Sequence, residues 1–315
     1  PERIARSTPP AHSSLPIARM SLSALYDVPA PAKLNLFLHV IGRRADGYHL
    51  LQSVFMLIDW CDTLHLERRS DGVVSREDLG PTLPEDDLCT RAARLLQQAT
   101  GTREGVHIAI DKQVPWGAGL GGGSSDAATV LLGLNRLWNL GLDRRALLEL
   151  GVKLGADVPF FIGGRDAWVE GIGEILTPIA LPPASYLVLK PPVAIPTAAI
   201  FSSPLLRRDT KPAKMAAFLA KPEFGKNDLQ AGAEAYSKQV VDGLEILKQN
   251  LGLSRMSGSG SAVFAQYPEV LRECSAKHGE LTEKILRSLA TPNESWIART
   301  CRSLEMHPMQ HWVKD

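Results

Sequence analysis

Residues 115–126 read Pro-Trp-Gly-Ala-Gly-Leu-Gly-Gly-Gly-Ser-Ser-Asp, with five glycines in the seven positions from Gly117 to Gly123. Glycine lets a backbone approach a ligand closely and adopt φ > 0, and the Ser-Ser-Asp that follows holds residues suited to capping a helix. Ala127, Val130, Leu131, Leu134, Leu137 and Trp138 then recur at helical spacing, so the loop opens a helix with an apolar face of its own. Successive backbone N–H groups and the positive end of a helix dipole suit polyphosphate. The stretch reads as a phosphate cradle.

Gly117, Gly119 and Gly122 satisfy GxGxxG, a spacing shared by dinucleotide-binding folds and protein-kinase loops. A dinucleotide site needs a strand running directly into the loop and an acidic residue closing a second strand about 20 residues later. Here Pro115 interrupts the approach, and Asn139 to Asp143 is a helix end leading to another helix. No His-Arg-Asp or Asp-Phe-Gly element follows, and no Gly-Lys-Ser/Thr is present, which sets aside the protein kinases and the Walker loop. A glycine turn that merely packs a helix on a sheet seldom needs so many glycines.

Upstream, Leu34, Leu36, Leu38 and Val40 alternate with Lys33, Asn35, Phe37 and His39, the period of a strand with one face inward. Lys33 and Asn35 therefore share a face. Gly42-Arg-Arg-Ala-Asp-Gly-Tyr-His49 reads as a turn, and Leu50 to Leu66 as further strand broken near Asp59 to Asp62, an antiparallel start. Helices are expected over Asp87 to Ala99, over Leu142 to Leu154 with Asp143 as N-cap, and around Ala231 to Gln249. Strands are expected over Val106 to Ile110, Tyr186 to Lys190 and Ala262 to Ala265. Gly155-Ala-Asp-Val-Pro159 is a tight turn entering an apolar run, and Ser257-Gly-Ser-Gly-Ser261 is a second glycine-rich turn.

A length of 315 residues favours two domains, with prolines 178, 182 and 183 punctuating the boundary. The expected division is an extension over 1–24, disordered or non-native, then units over 25–182 and 183–300, and a tail over 301–315. With 35 basic and 34 acidic residues, the formal charge of +1 gives no basic face for nucleic acid. No apolar run is long enough for a membrane span. Cys61, Cys89, Cys274 and Cys301 lack CxxC spacing, so reduced thiols in a cytoplasmic protein are expected.

Pro115-x-Gly117-x-Gly119-Leu120-Gly121-Gly122-Gly123-Ser124-Ser125 resembles the ATP-binding motif of the GHMP kinase superfamily. Pro31-Ala-Lys-Leu-Asn-Leu-Phe-Leu38, Gly42 to His49 and Gly155 to Pro159 resemble its branch acting on 4-diphosphocytidyl-2-C-methyl-D-erythritol in the non-mevalonate isoprenoid pathway. The likeness runs from Val28 to Ala265, with the three motifs in the family's order. It implies an α+β fold of two units, the first like a ribosomal-protein domain and the second ferredoxin-like. It also implies ATP-dependent phosphorylation of the 2-hydroxyl of that substrate. The triple glycine before Ser124 and the Asp-Gly-Tyr-His turn speak against mevalonate or homoserine as acceptor.

By the same resemblance, Lys33 and Asp157 face each other across the acceptor hydroxyl. Asp157 is base or orienting carboxylate, and Lys33 stabilises the alkoxide and the transferred phosphoryl group. Pro115 through Ser125 and Lys112 hold ATP, while Asp87 stands where the family's pattern has Asn. Asn35 contacts the methylerythritol end, Tyr48 and His49 recognise the cytosine, and Thr197 and Phe201 help close its pocket. No acidic cluster marks a protein-built metal cage, so Mg2+ is expected on the phosphates, touching Ser124 or Ser125. The small cytidine diphosphate substrate is the expected partner, with the chain a monomer or weak homodimer.

Overall fold

The computed structural model describes residues 22–221, 224–268, 275–289 and 295–315. Cys274 and the first 21 residues of the expected extension lie outside the described residues. The chain opens with two long antiparallel strands, β1 (Ala24–Arg43) and β2 (His49–Arg69). β1 thus begins inside the segment expected as an extension, and Ser23 O already accepts Arg68 N at 2.8 Å. After β3 (Val74–Asp78) come α1 (Leu88–Thr100) and β4 (Gly105–Asp111), then α2 (Gly122–Leu137), α3 (Arg144–Leu154) and α4 (Val158–Gly163). β5 (Ala167–Glu170) and β6 (Ile175–Pro178) complete a sheet ordered β3-β4-β2-β5-β6, with β1 paired to β2.

Two sequence expectations change here. β2 is not broken at Asp59 to Asp62. Pro31 pairs with Cys61 and Ala32 with Ile58, so Asp59 and Trp60 form a bulge within one strand. The polar residues that looked like a break are held by partners: Asp59 Oδ1 accepts Arg302 N at 2.7 Å, and Asp62 lies fully buried. Nor is β1 one-faced. It is buried continuously from Ala30 to Val40, because helices cover one side of the sheet and the second unit covers the other.

The second unit carries β7 (Ser185–Lys190), the short helices α5 (Thr197–Phe201) and α6 (Met215–Leu219), then α7 (Gln230–Tyr236) and α8 (Lys238–Leu251). It continues with β8 (Ser254–Met256), β9 (Val263–Gln266), α9 (Ser275–Leu289) and β10 (Ile297–Arg302). Its antiparallel sheet runs β10-β7-β9-β8. The single helix expected around Ala231 to Gln249 is two, because Ser237 takes an extended conformation between α7 and α8. Asp143 caps α3 as expected, accepting Ala146 N at 2.8 Å. After β10 the chain returns to the first unit: Leu304 N donates to Leu57 O, and Arg144 donates to the carbonyls of Gln310 and Val313. Among the described residues no helix is long and apolar enough to cross a membrane.

Asp166, between α4 and β5, is buried and accepts Leu57 N at 2.9 Å. Burial pushes its carboxyl up to about 7, against the pull of that hydrogen bond. The native state therefore binds this proton more tightly than the unfolded chain does. The stability it contributes is complete below about pH 4 and lost as pH rises through about 7. Asp166→Asn keeps an oxygen for Leu57 N and removes the charge. Urea unfolding at pH 5 and pH 9 should show the variant losing less stability on going alkaline, by on the order of 3 kcal/mol. Equal losses in both proteins would refute this assignment.

Candidate active site

The glycine loop is fixed by hydrogen bonds from two sides. Lys33 N in β1 donates to Leu120 O at 2.9 Å, tying the loop to the strand that carries the lysine. Ala262 N donates to Ala118 O at 3.1 Å, and Ser257 Oγ donates to Gly119 O at 2.9 Å, bringing the second glycine turn beneath the first. Glycine is required at two of these contacts. A Cβ on Gly119 would lie 2.1 Å from Ser257 O, at φ +74°. One on Gly121 would lie 2.9 Å from Phe161 Cζ and 3.1 Å from Lys33 Cγ, at φ +73°.

Ser-Ser-Asp does not cap the helix, contrary to expectation. Gly121 is the N-cap, without a side-chain bond, and α2 begins at Gly122. Ser124 lines the cavity beside the loop. Ser125 does not: its side chain is fully buried, its Oγ has no partner, and its N–H is spent on Gly121 O. Asp126 turns inward, where its carboxylate and that of Asp62 flank Lys112 Nζ, the former at 2.6 Å. Burial lowers the Lys112 ammonium, but the two carboxylates outweigh it and hold the group above its ordinary value. Burial likewise raises the Asp126 carboxyl, and the Asp62 charge beside it adds to the shift. Asp62 also accepts Gln113 N at 2.6 Å and Val114 N at 2.7 Å, shaping the entry to the loop.

Neither Asp62 nor Asp126 stood out in the sequence as a site residue; the one signal was polarity inside otherwise apolar elements. Asp87 proves to be the N-cap of α1. It accepts Thr90 N at 3.0 Å as well as Cys89 N, and its other oxygen pairs with Arg76. Its carboxylate is occupied by the protein.

Against the loop, in the middle of β1, Lys33 is buried at 3% exposure. Its Nζ stands 3.6 Å from Asp157 Oδ2, donates to Asn35 Oδ1, and lies 4.7 Å from the Phe55 ring centre. Burial pushes its ammonium below the usual lysine range, and the Asp157 carboxylate opposes that shift. Asn35 is held in turn: Nδ2 donates to Ser53 Oγ at 3.0 Å, and its backbone N–H to Ser257 Oγ at 3.2 Å. Asp157 precedes α4 in a helical conformation, with its side chain about one-third exposed at 31%.

These groups share a cavity of about 430 Å³, lined by the loop from Pro115 to Ser124, by Lys33, Asn35, Lys112 and Asp157, and by Thr197 and Phe201. A second cavity of about 780 Å³ adjoins it through Leu51, Ile172, Thr197 and Phe201, and holds Tyr48 and His49. The His49 and Phe201 rings stack at 5.0 Å, and Tyr48 is exposed. A glycine loop, a paired lysine and aspartate, and an aromatic chamber thus lie along one path. Among the described residues no group of three or more His, Cys, Asp or Glu could hold a metal ion.

Residues 87–165 match the family model of the GHMP kinases N-terminal domain. A 4-diphosphocytidyl-2-C-methyl-D-erythritol kinase from Methylibium petroleiphilum is 62% identical over 93% of this chain and 100% of its own. The chain belongs to the 4-diphosphocytidyl-2-C-methyl-D-erythritol kinase family. A relative of the same name from Paracidovorax citrulli is 54% identical over 93% of this chain and 99% of its own. A crystal structure of 4-(cytidine 5'-diphospho)-2C-methyl-D-erythritol kinase superimposes with a TM-score of 0.71 at 35% identity, covering 87% of this chain and 98% of that one. Homoserine kinase from Cytophaga hutchinsonii, at 14% identity and a TM-score of 0.67, covers 93% of this chain and 98% of its own and shares the fold. The chain is a small-molecule kinase of two-domain α+β architecture, with ATP as phosphoryl donor.

The contacts at Gly119 predict a contrast. Gly119→Ala drives a Cβ into backbone, so thermal unfolding should show a loss of about 3 kcal/mol or more. Gly123→Ala meets only Leu88 Cδ1, at 3.7 Å, and should unfold within about 1 kcal/mol of the parent. Similar losses in the two variants would separate the loop's glycines from its packing on the second turn.

Proposed function

We propose that this kinase transfers the γ-phosphoryl group of ATP to the 2-hydroxyl of 4-diphosphocytidyl-2-C-methyl-D-erythritol, giving the 2-phosphate and ADP. The observation that carries the proposal is the Lys33–Asp157 pair, 3.6 Å apart, between the glycine loop and the aromatic chamber. An acceptor alcohol at that pair lies in the cavity of the glycine loop, which opens into the aromatic chamber through Leu51, Ile172, Thr197 and Phe201 and so has room for a nucleobase beyond it.

Phosphoryl transfer is chiefly positioning and charge stabilisation. In this reading, backbone N–H groups of the Gly117 to Ser124 loop and the α2 dipole hold the triphosphate. Lys33, partly desolvated and aimed by Asn35, stabilises the acceptor oxygen and the charge on the moving phosphoryl group. Asp157 orients the hydroxyl and receives its proton as the P–O bond forms. Magnesium enters as part of the nucleotide substrate, and Ser124 is the hydroxyl of the loop placed to touch it. Asn35 meets the methylerythritol end, while Tyr48, His49, Thr197 and Phe201 enclose the cytosine. Residues 25–182 form the nucleotide-binding domain of this scheme and residues 183–300 the domain closing the acceptor side.

A coupled ADP-release assay tests the reading, with the cytidine diphosphate substrate, mevalonate and homoserine offered in parallel. Turnover is expected with the first alone; turnover only with one of the others would overturn the assignment. Asp157→Asn should lower kcat by about 100- to 10,000-fold while the ATP KM stays within about threefold. Near-normal turnover would remove Asp157 from the chemistry.

A further inference from the structure

The aromatic chamber contains a side chain whose purpose the phosphoryl-transfer scheme does not explain. Arg208 lies in the irregular segment between α5 and α6, and it reaches back to both halves of the ring stack. Its Nε donates to His49 Nε2 at 3.1 Å. One Nη donates to Phe201 O at 2.9 Å and Ser203 O at 3.4 Å, and the other to Leu206 O at 3.1 Å. Every nitrogen of the guanidinium is thus engaged by the protein. A single side chain joins the start of β2, which carries His49, to the end of α5, which carries Phe201.

The direction of the His49 contact is fixed by chemistry. A guanidinium only donates, so His49 Nε2 must present its lone pair, and the proton of the neutral ring must sit on Nδ1. Nδ1 makes no hydrogen bond among the described residues, and His49 lines the chamber. The charged groups around the ring are Arg208, Arg43 at the end of β1, and Asp46 in the turn beside Tyr48. Burial first, then the positive charges of Arg208 and Arg43, lower the His49 pKa below its ordinary value and keep the ring neutral.

We infer that Arg208 is a positioning residue that clamps Phe201 to His49 and fixes His49 as the Nδ1–H tautomer, so that the chamber offers a hydrogen-bond donor to the nucleobase. The inference rests on the proposed cytidine substrate. A donor at this position suits the N3 acceptor of cytosine. Uracil carries N–H at N3, which would set donor against donor there. The selectivity of the chamber then comes from a residue that itself touches no substrate.

The tautomer is read on the unliganded full chain, from long-range proton–nitrogen correlation spectra of the His49 ring at neutral pH. The parent should show the proton on Nδ1, and Arg208→Ala should move it to Nε2, the site the ring of free histidine prefers. In steady-state kinetics, Arg208→Ala should raise the KM for the cytidine substrate about tenfold, the worth of one hydrogen bond, with kcat and the ATP KM nearly unchanged. Preference for the cytidine substrate over its uridine analogue should fall about tenfold as well. Arg208→Lys keeps the charge but cannot hold Phe201 O and His49 together, and should lose the same preference. A proton on Nε2 in the parent, or both variants keeping the parent's nucleobase preference, would overturn the inference. If the parent does not turn over the cytidine substrate, the proposed function fails, while the tautomer spectrum still decides the role of Arg208.

Discussion

The active site depends on the seating of one glycine loop against two backbones at once. Leu120 O is held by Lys33 N of β1, and the loop just before it is pinned by Ser257 and Ala262 of the second unit. The strand carrying Lys33, the helix that follows the loop, and the second unit therefore meet at the loop's carbonyls. At Gly119 the backbone of Ser257, and at Gly121 the side chains of Phe161 and Lys33, leave no room for a Cβ, which explains these glycines better than ligand approach alone. Asn35 N reaches Ser257 Oγ from the same strand, so the second unit also fixes the residue that receives the Lys33 ammonium.

Charge is distributed unequally around this junction. Lys33 sits in a desolvated place with one carboxylate 3.6 Å away, and its balance favours a lowered pKa. Lys112 is somewhat less removed from solvent, and two carboxylates keep it firmly charged. The first arrangement leaves a cation whose field is free to act on a reacting oxygen. The second neutralises its cation and uses the surplus carboxylate oxygen, on Asp62, to order the backbone of Gln113 and Val114 ahead of the loop. Two lysines with little access to solvent thus sit in different electrostatic settings, and their partners set which.

Much of this could be read in the sequence where the constraint is local. The glycine spacing, the helix after it, the Asp143 cap and the shared face of Lys33 and Asn35 all follow from neighbours a few residues apart. Asp157 and Lys33 are 124 positions apart, and only motif order drew them together; the fold supplies the distance. What escaped was polarity answered from afar. Asp59 and Asp62 read as the end of a strand because their partners, Arg302 in β10 and Lys112 beyond β4, cannot be seen from β2. Ser125 and Asp126 read as cap residues for the converse reason. They follow glycines in a typical cap sequence, but the helix starts earlier and turns them inward.

The two sides of the site are built by different means, and this bears on how an acceptor is chosen. On the donor side, backbone-to-backbone hydrogen bonds and close glycine contacts define the geometry, so most side-chain changes leave it intact. On the proposed acceptor side, the walls are side chains from the turn after β1, the start of β2 and α5, joined by ring stacking and by the donors of Arg208. A fold does not by itself set the alcohol it phosphorylates. In the proposed scheme the nucleotide cradle belongs to the frame, whereas recognition of the acceptor rests on a few rings at its rim. On that scheme, substitution at the rim changes the acceptor while Lys33 and Asp157 stay where the frame has put them.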